Sequence, residues 1–133
     1  MRRLLLLAPL AVVAAACGQG AAKPFLPGPT AKCLRQAGFH VSTSEADVPI
    51  VAAAAANGGL RASPKSGGNT LVVAFAADGP DALTVEKSIR RVAPPKLRPH
   101  LGDVMTQKRN AVVLWTVSPG PELQQTALGC LRS

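Results

Sequence analysis

The stretch Asn110 to Ser118, Asn-Ala-Val-Val-Leu-Trp-Thr-Val-Ser, constrains this chain more than any other. Val112, Val113, Leu114, Trp115 and Val117 form a run too apolar for a strand with one wet face. Such a run predicts a strand covered on both sides, or central in its sheet. β-Branched and aromatic residues favour that state. Lys108-Arg109-Asn110 precedes it and Ser118-Pro119-Gly120-Pro121 ends it. Trp115 is the single Trp and there is no Tyr, so this strand brings the largest side chain to the core.

Thr70 to Ala77 is a second apolar strand, ending at Asp78-Gly79-Pro80. Between these two, Asp81 to Val92 has helical periodicity. Ala82, Val85, Ile89 and Val92 fall on one face, and Pro94-Pro95 stops the helix. Asp78 or Asp81 can cap it. Val104 to Lys108 predicts a strand that turns at Arg109-Asn110 into the apolar one. Pro121 to Arg132 predicts a closing helix with Leu123, Ala127 and Cys130 or Leu131 buried. Upstream, Thr30 can cap a helix over Ala31 to Ala37 that Gly38 closes. Phe39 to Thr43 alternates as a short strand. Ser44 to Ala56 reads as an Ala-rich helix stopped by Asn57-Gly58-Gly59, with Pro49 tolerable only in its first turn. Leu60 to Ser63 is a further short strand.

These elements predict an α+β fold: two layers, a mainly antiparallel sheet with helices packed on one face. A fully covered central strand also needs something over the second face. The Ala-rich segment and a partner protein are the two candidates. The 133 residues are one domain's worth. Hydrophobic residues make up 47% but aromatics only 3%, so the core must be built from small aliphatic side chains.

The N-terminus predicts export. Met1-Arg2-Arg3 is followed by a 13-residue apolar run, Leu4 to Ala16. That is short for a membrane span, which needs about 20 residues, and has the size and flanks of a secretory signal. The segment Val13-Ala14-Ala15-Ala16-Cys17-Gly18 resembles the lipobox of bacterial lipoproteins, with Ala14 where that family usually has Leu. The resemblance covers only the first 18 or so residues. It implies a signal peptide over 1–16, cleavage after Ala16, and Cys17 as the lipid-attachment residue at the extracytoplasmic face of the cell membrane. The alternatives are an uncleaved anchor, and an ordinary signal-peptidase site after Ala16 or Ala22 with plain secretion. Residues 17–29, with three Gly and three Pro between 18 and 29, predict a flexible tether in which Phe25 and Leu26 can pack locally. The folded domain is then 30–133.

With Cys17 given to lipid by that resemblance, Cys33 and Cys130 remain as a pair. Export favours their disulfide, which would join the first and last helices of the domain. The alternative is two reduced buried thiols.

Formal charge is +8, and loss of Arg2 and Arg3 leaves 13 Lys and Arg against 7 Asp and Glu. This suits a neighbour such as anionic lipid or cell-wall polymer, or reflects solubility alone. Basic residues are scattered without aromatic interleaving, which argues against nucleic acid. Lys87, Arg90, Arg91, Lys96 and Arg98 are the densest basic cluster. No Cys or His spacing suits a metal, and no cofactor motif is present. His100 with Asp103 could serve as a base, but no nucleophile is spaced for it. Asp78, Asp81 and Asp103 could converge on a cation only if the first two are not caps. Ser66-Gly67-Gly68-Asn69 lacks the ending of a phosphate loop and reads as a turn. The expected function is therefore a non-enzymatic, membrane-anchored binding or accessory module at the cell envelope, with an envelope protein among its possible partners. The alternatives are a small envelope hydrolase using His100 with an acidic residue, and a plain secreted interaction protein.

Overall fold

The structure, a computed structural model, describes residues 22–133. Five strands, β1 (Phe39–Ser42), β2 (Gly59–Pro64), β3 (Leu71–Phe75), β4 (Met105–Lys108) and β5 (Ala111–Trp115), form one sheet in the order β1-β2-β3-β5-β4. Every neighbouring pair is antiparallel. The helices are α1 (Pro27–Gln36), α2 (Ile50–Ala53), α3 (Gly79–Val92), α4 (Leu101–Val104) and α5 (Pro121–Gly129). A 3-10 turn at Arg98–His100 leads into α4. The fold is α+β, as the sequence predicts.

β5 lies inside the sheet between β3 and β4. Its register pairs Leu71 with Trp115, Val73 with Val113 and Phe75 with Ala111. These six side chains share one face and pack with Leu34 of α1 and Ala127 of α5. The alternate residues Ala74 and Val112 are buried on the opposite face, against Ala52 of α2, Val85 and Ile89 of α3, and Leu101 of α4. Helices therefore cover both faces, in three layers, where the sequence reading expected one covered face. The cause is the two-sided apolarity of β3 and β5: one helical layer would leave Val72, Ala74, Val112 and Leu114 in water. The Ala-rich segment does cover part of the second face, but as a single turn. Pro49 stands at its N-cap, and Ser42 Oγ donates to Asp47 Oδ2 (2.7 Å) in the turn before it.

That turn approaches the sheet closely. A Cβ on Gly59 would lie 2.8 Å from the Ala52 carbonyl oxygen and 2.9 Å from that of Val73. Both are backbone atoms and cannot step aside cheaply. Gly59→Ala should therefore destabilise the domain by about 2 kcal/mol, seen as a lower urea midpoint. An unchanged midpoint would mean that α2 sits more loosely than described.

α1 begins at Pro27, with Pro in its first turn and Leu26 as N-cap, rather than at Ala31. Thr30 is not the cap but a buried residue inside the helix. Its Oγ1 donates to the Arg132 carbonyl (3.4 Å) and accepts from the Arg132 N–H (3.1 Å). The tether expected over 17–29 thus ends earlier, because Phe25 is 6% exposed and belongs to the core. Cys33 of α1 and Cys130, the C-cap of α5, are bonded with a Cα–Cα distance of 5.3 Å across 97 residues of sequence. The two end helices share a sheet face, as the disulfide requires.

The sheet has two ends. At one, β4 turns into β5 through Arg109, which adopts a φ of 53°, and Asn110. At the other, β5 finishes at Trp115, β4 starts at Met105, and α3 runs out at Val92.

Candidate functional site

Cys17 lies outside the described residues. Among the described residues, no helix is long and apolar enough to cross a membrane. His100 and Asp103 are brought near each other but not together: Nδ1 to Oδ2 is 3.9 Å, with side chains 72% and 70% exposed. Asp78 Oδ1 accepts from the Asp81 N–H (2.8 Å), and Asp81 Oδ2 accepts from the Ala77 N–H (2.9 Å). Those two carboxylates close the start of α3, at the opposite end of the sheet from Asp103, so the three do not converge. Asn69 fastens its turn to the strand end, accepting from the Val117 N–H (3.0 Å) and donating to its carbonyl (2.6 Å). In the basic cluster, Arg90 pairs with Glu86 at 2.9 Å. The Arg98 guanidinium donates to the carbonyls of Ala93 (3.0 Å) and Arg91 (3.1 Å), closing the C-terminus of α3.

Among the described residues, a concave feature opens at the Trp115 end of the sheet. It is a groove of about 660 Å³, within the range of small-molecule sites. Val92 and Leu97 line it from the end of α3 and the following loop; Leu114 and Trp115 of β5 and the following Thr116 to Ser118 line its other side. Val92, Leu97 and Val117 are 66%, 55% and 58% exposed. Scattered exposed aliphatics mean little, but three converging on one groove leave apolar surface in water that a ligand would cover. Arg91, Lys96 and Arg98 adjoin Val92 and Leu97 in sequence, while Asp103 is the single carboxylate of the lining. Trp115, also in the lining, carries an indole N–H that is buried without a hydrogen-bond partner. An unpaired buried donor is costly, but the Trp115 side chain packs on the Leu34 and Ala127 face of the sheet, away from Ile89 and Leu101 of the groove.

A second, polar cleft of about 550 Å³ runs beside the edge strand β1, with Arg35, His40, Arg61 and Lys65 around Asp47. Arg35 is occupied in part by the Val41 carbonyl (3.2 Å). This cleft has the charge for an anion, but Asp47 stands among its cations and Phe39, which adjoins it, is buried in the core.

No family model matches this chain, and neither a curated protein nor a solved structure matches it. The groove is thus described from its own residues. Sequence reading missed it because Val92 fits the helical stripe of Ala82, Val85 and Ile89. Its exposure as the last residue of α3 has no local signal.

Proposed function

We propose that this protein is an exported lipoprotein, lipidated at Cys17, whose domain is a non-enzymatic binding module at the cell envelope. The groove is its binding site, for an amphipathic anion such as an acidic lipid. The observation that carries the reading is the convergence of three exposed aliphatic side chains on one groove, with Arg91, Lys96 and Arg98 next to two of them in sequence. An apolar tail would cover Val92, Leu97 and Val117, and Arg91, Lys96 and Arg98 would attract the head. The Cys33–Cys130 bond supports export, since structural disulfides persist in oxidising compartments. The lipobox-like Ala14-Ala15-Ala16-Cys17 supports the anchor.

Trp115 is the only Trp of a chain without Tyr, so intrinsic fluorescence comes from one residue, at the edge of the groove. Titration with oleate should change its emission saturably. The variant Leu97→Asp with Val117→Asp should weaken binding at least about tenfold, because it puts carboxylates where an apolar tail and an anion must sit. Both positions are exposed, so unfolding should change little. No saturable change, or the same titration in the variant, would rule the groove out. Turnover of model esters that disappears in His100→Ala would replace the binding reading with the hydrolase.

A further inference from the structure

The groove opens at one end of the sheet, and the chain enters the domain at the other. Phe25 is held there on three sides. Its N–H donates to Asn110 Oδ1 (2.7 Å), its carbonyl accepts from Asn110 Nδ2 (3.0 Å), and its ring lies 4.2 Å from the Arg109 guanidinium. Two residues earlier, the Lys23 carbonyl accepts from the Arg109 guanidinium and from Ser133 Oγ (3.1 Å). The Leu26 N–H donates to the Arg132 carbonyl at 2.8 Å. The chain is therefore fixed to the domain from Lys23 onward.

Only six residue steps separate Lys23 from Cys17. Fully extended, they reach about 22 Å. A domain of this size is roughly 34 Å across, from the usual relation of radius of gyration to length. A lipid on Cys17 therefore cannot lie at the groove end while Lys23 stays pinned at the other. The tether has the length to set the Lys23 end on the bilayer and not the length to invert it.

That end presents four exposed cations: Lys23, Lys108, Arg109 and Arg132. Lys108 Nζ donates to the Leu128 carbonyl (3.4 Å) and lies 6.0 Å from the Phe25 ring centroid, so Lys108 and Arg109 flank the segment that leads to the anchor. Two carboxylates at this end, Asp78 and Asp81, are turned to capping α3, and Asp78 shares a notch with Arg109. A third, Glu45, lies beside Pro27, Gly58 and Gly59, outside the notch that holds Arg109.

We propose that Lys23, Lys108, Arg109 and Arg132 form a membrane-facing surface that seats on anionic phospholipid headgroups, holding the groove away from the bilayer. The proposal rests on the lipidation of Cys17 proposed above. Anchoring keeps the cations within about 22 Å of the headgroups, and seating brings them inside one Debye length, about 8 Å at physiological salt, where their attraction is not screened away. The groove would then take its ligand from the aqueous side of the envelope.

The chain's own lysines test this. Full-length protein is extracted from membranes, placed in vesicles of phosphatidylcholine with and without phosphatidylglycerol, and acetylated briefly. Mass spectrometry then gives the rate at each lysine. With phosphatidylglycerol, Lys23 and Lys108 should react roughly fivefold more slowly, while Lys65 and Lys96, at the groove end, are unchanged. Lys108→Glu with Arg132→Glu should abolish the protection at Lys23. Equal rates in the two vesicles, or protection of Lys65 and Lys96 instead, would overturn the surface. The intact mass of the same sample separates the two ideas. Acyl mass without protection removes only the surface; no acyl mass removes the anchor and the surface together.

Discussion

The double variant Cys33→Ala, Cys130→Ala should lose roughly 4.7 kcal/mol of stability, the chain-entropy value for a closed loop of about this length. For a domain of about this size that is a fall in Tm of roughly 20 °C. The loss is large against total stabilities of about 5–15 kcal/mol for small domains, and this domain has little to offset it. Nine of the 26 buried hydrophobic residues described are Ala, which contribute little area each. The bond also holds α1 against α5, the two helices that cover one face of the sheet. Thermal unfolding with and without reductant should reproduce the shift in the unmodified chain. A change of less than about 5 °C would mean that the terminal helices hold each other by packing alone, contrary to the entropic account.

Asn110→Ala should cost about 3 kcal/mol, far more than a turn residue normally does. Asn110 is 2% exposed, and its amide makes three hydrogen bonds, to both backbone groups of Phe25 and to the Ala76 carbonyl (2.8 Å). The Ala76 carbonyl keeps a second donor, Asn57 Nδ2 at 2.9 Å. The Phe25 N–H and carbonyl have no described replacement and would be left unpaired at a buried site. Loss of the amide should therefore also free the segment before α1, making it a target for limited proteolysis near Lys23. The chain would then gain reach, and the vesicle-dependent protection of Lys108 should weaken with it. Denaturant midpoints and a proteolysis time course measure the two effects. A stable, protease-resistant variant would contradict the clasp.

Most of the sheet was legible because its strands are apolar on both faces and bounded by Gly, Pro and charged residues. The run from Val112 to Trp115 predicts an interior strand, and β5 is one. The same two-sidedness implied a second helical layer, which the one-face arrangement did not include. α3 followed from its stripe, Pro94-Pro95 and its acidic caps. What escaped were features made by contacts distant in sequence. Phe25 and Asn110 are 85 residues apart, and an Asn between charged and apolar residues looks like an ordinary turn. The early start of α1 escaped because its Gly- and Pro-rich opening has the composition of a tether, yet Pro27 serves in a first helical turn. Of the site residues, the Cys33–Cys130 pair was legible once Cys17 was set aside. The groove was not, because its walls come from α3, α4 and the end of β5 and only the fold brings them together.

The most direct measurement is the intact mass of the protein from the membrane fraction of an expressing bacterium, before and after reduction and alkylation. The account predicts a chain that starts at Cys17, carries added acyl mass, and exposes two alkylatable thiols only after reduction. An unmodified chain starting after Ala16 or Ala22 and found in the medium would contradict the anchor. Thiols free before reduction would contradict the bond between the end helices.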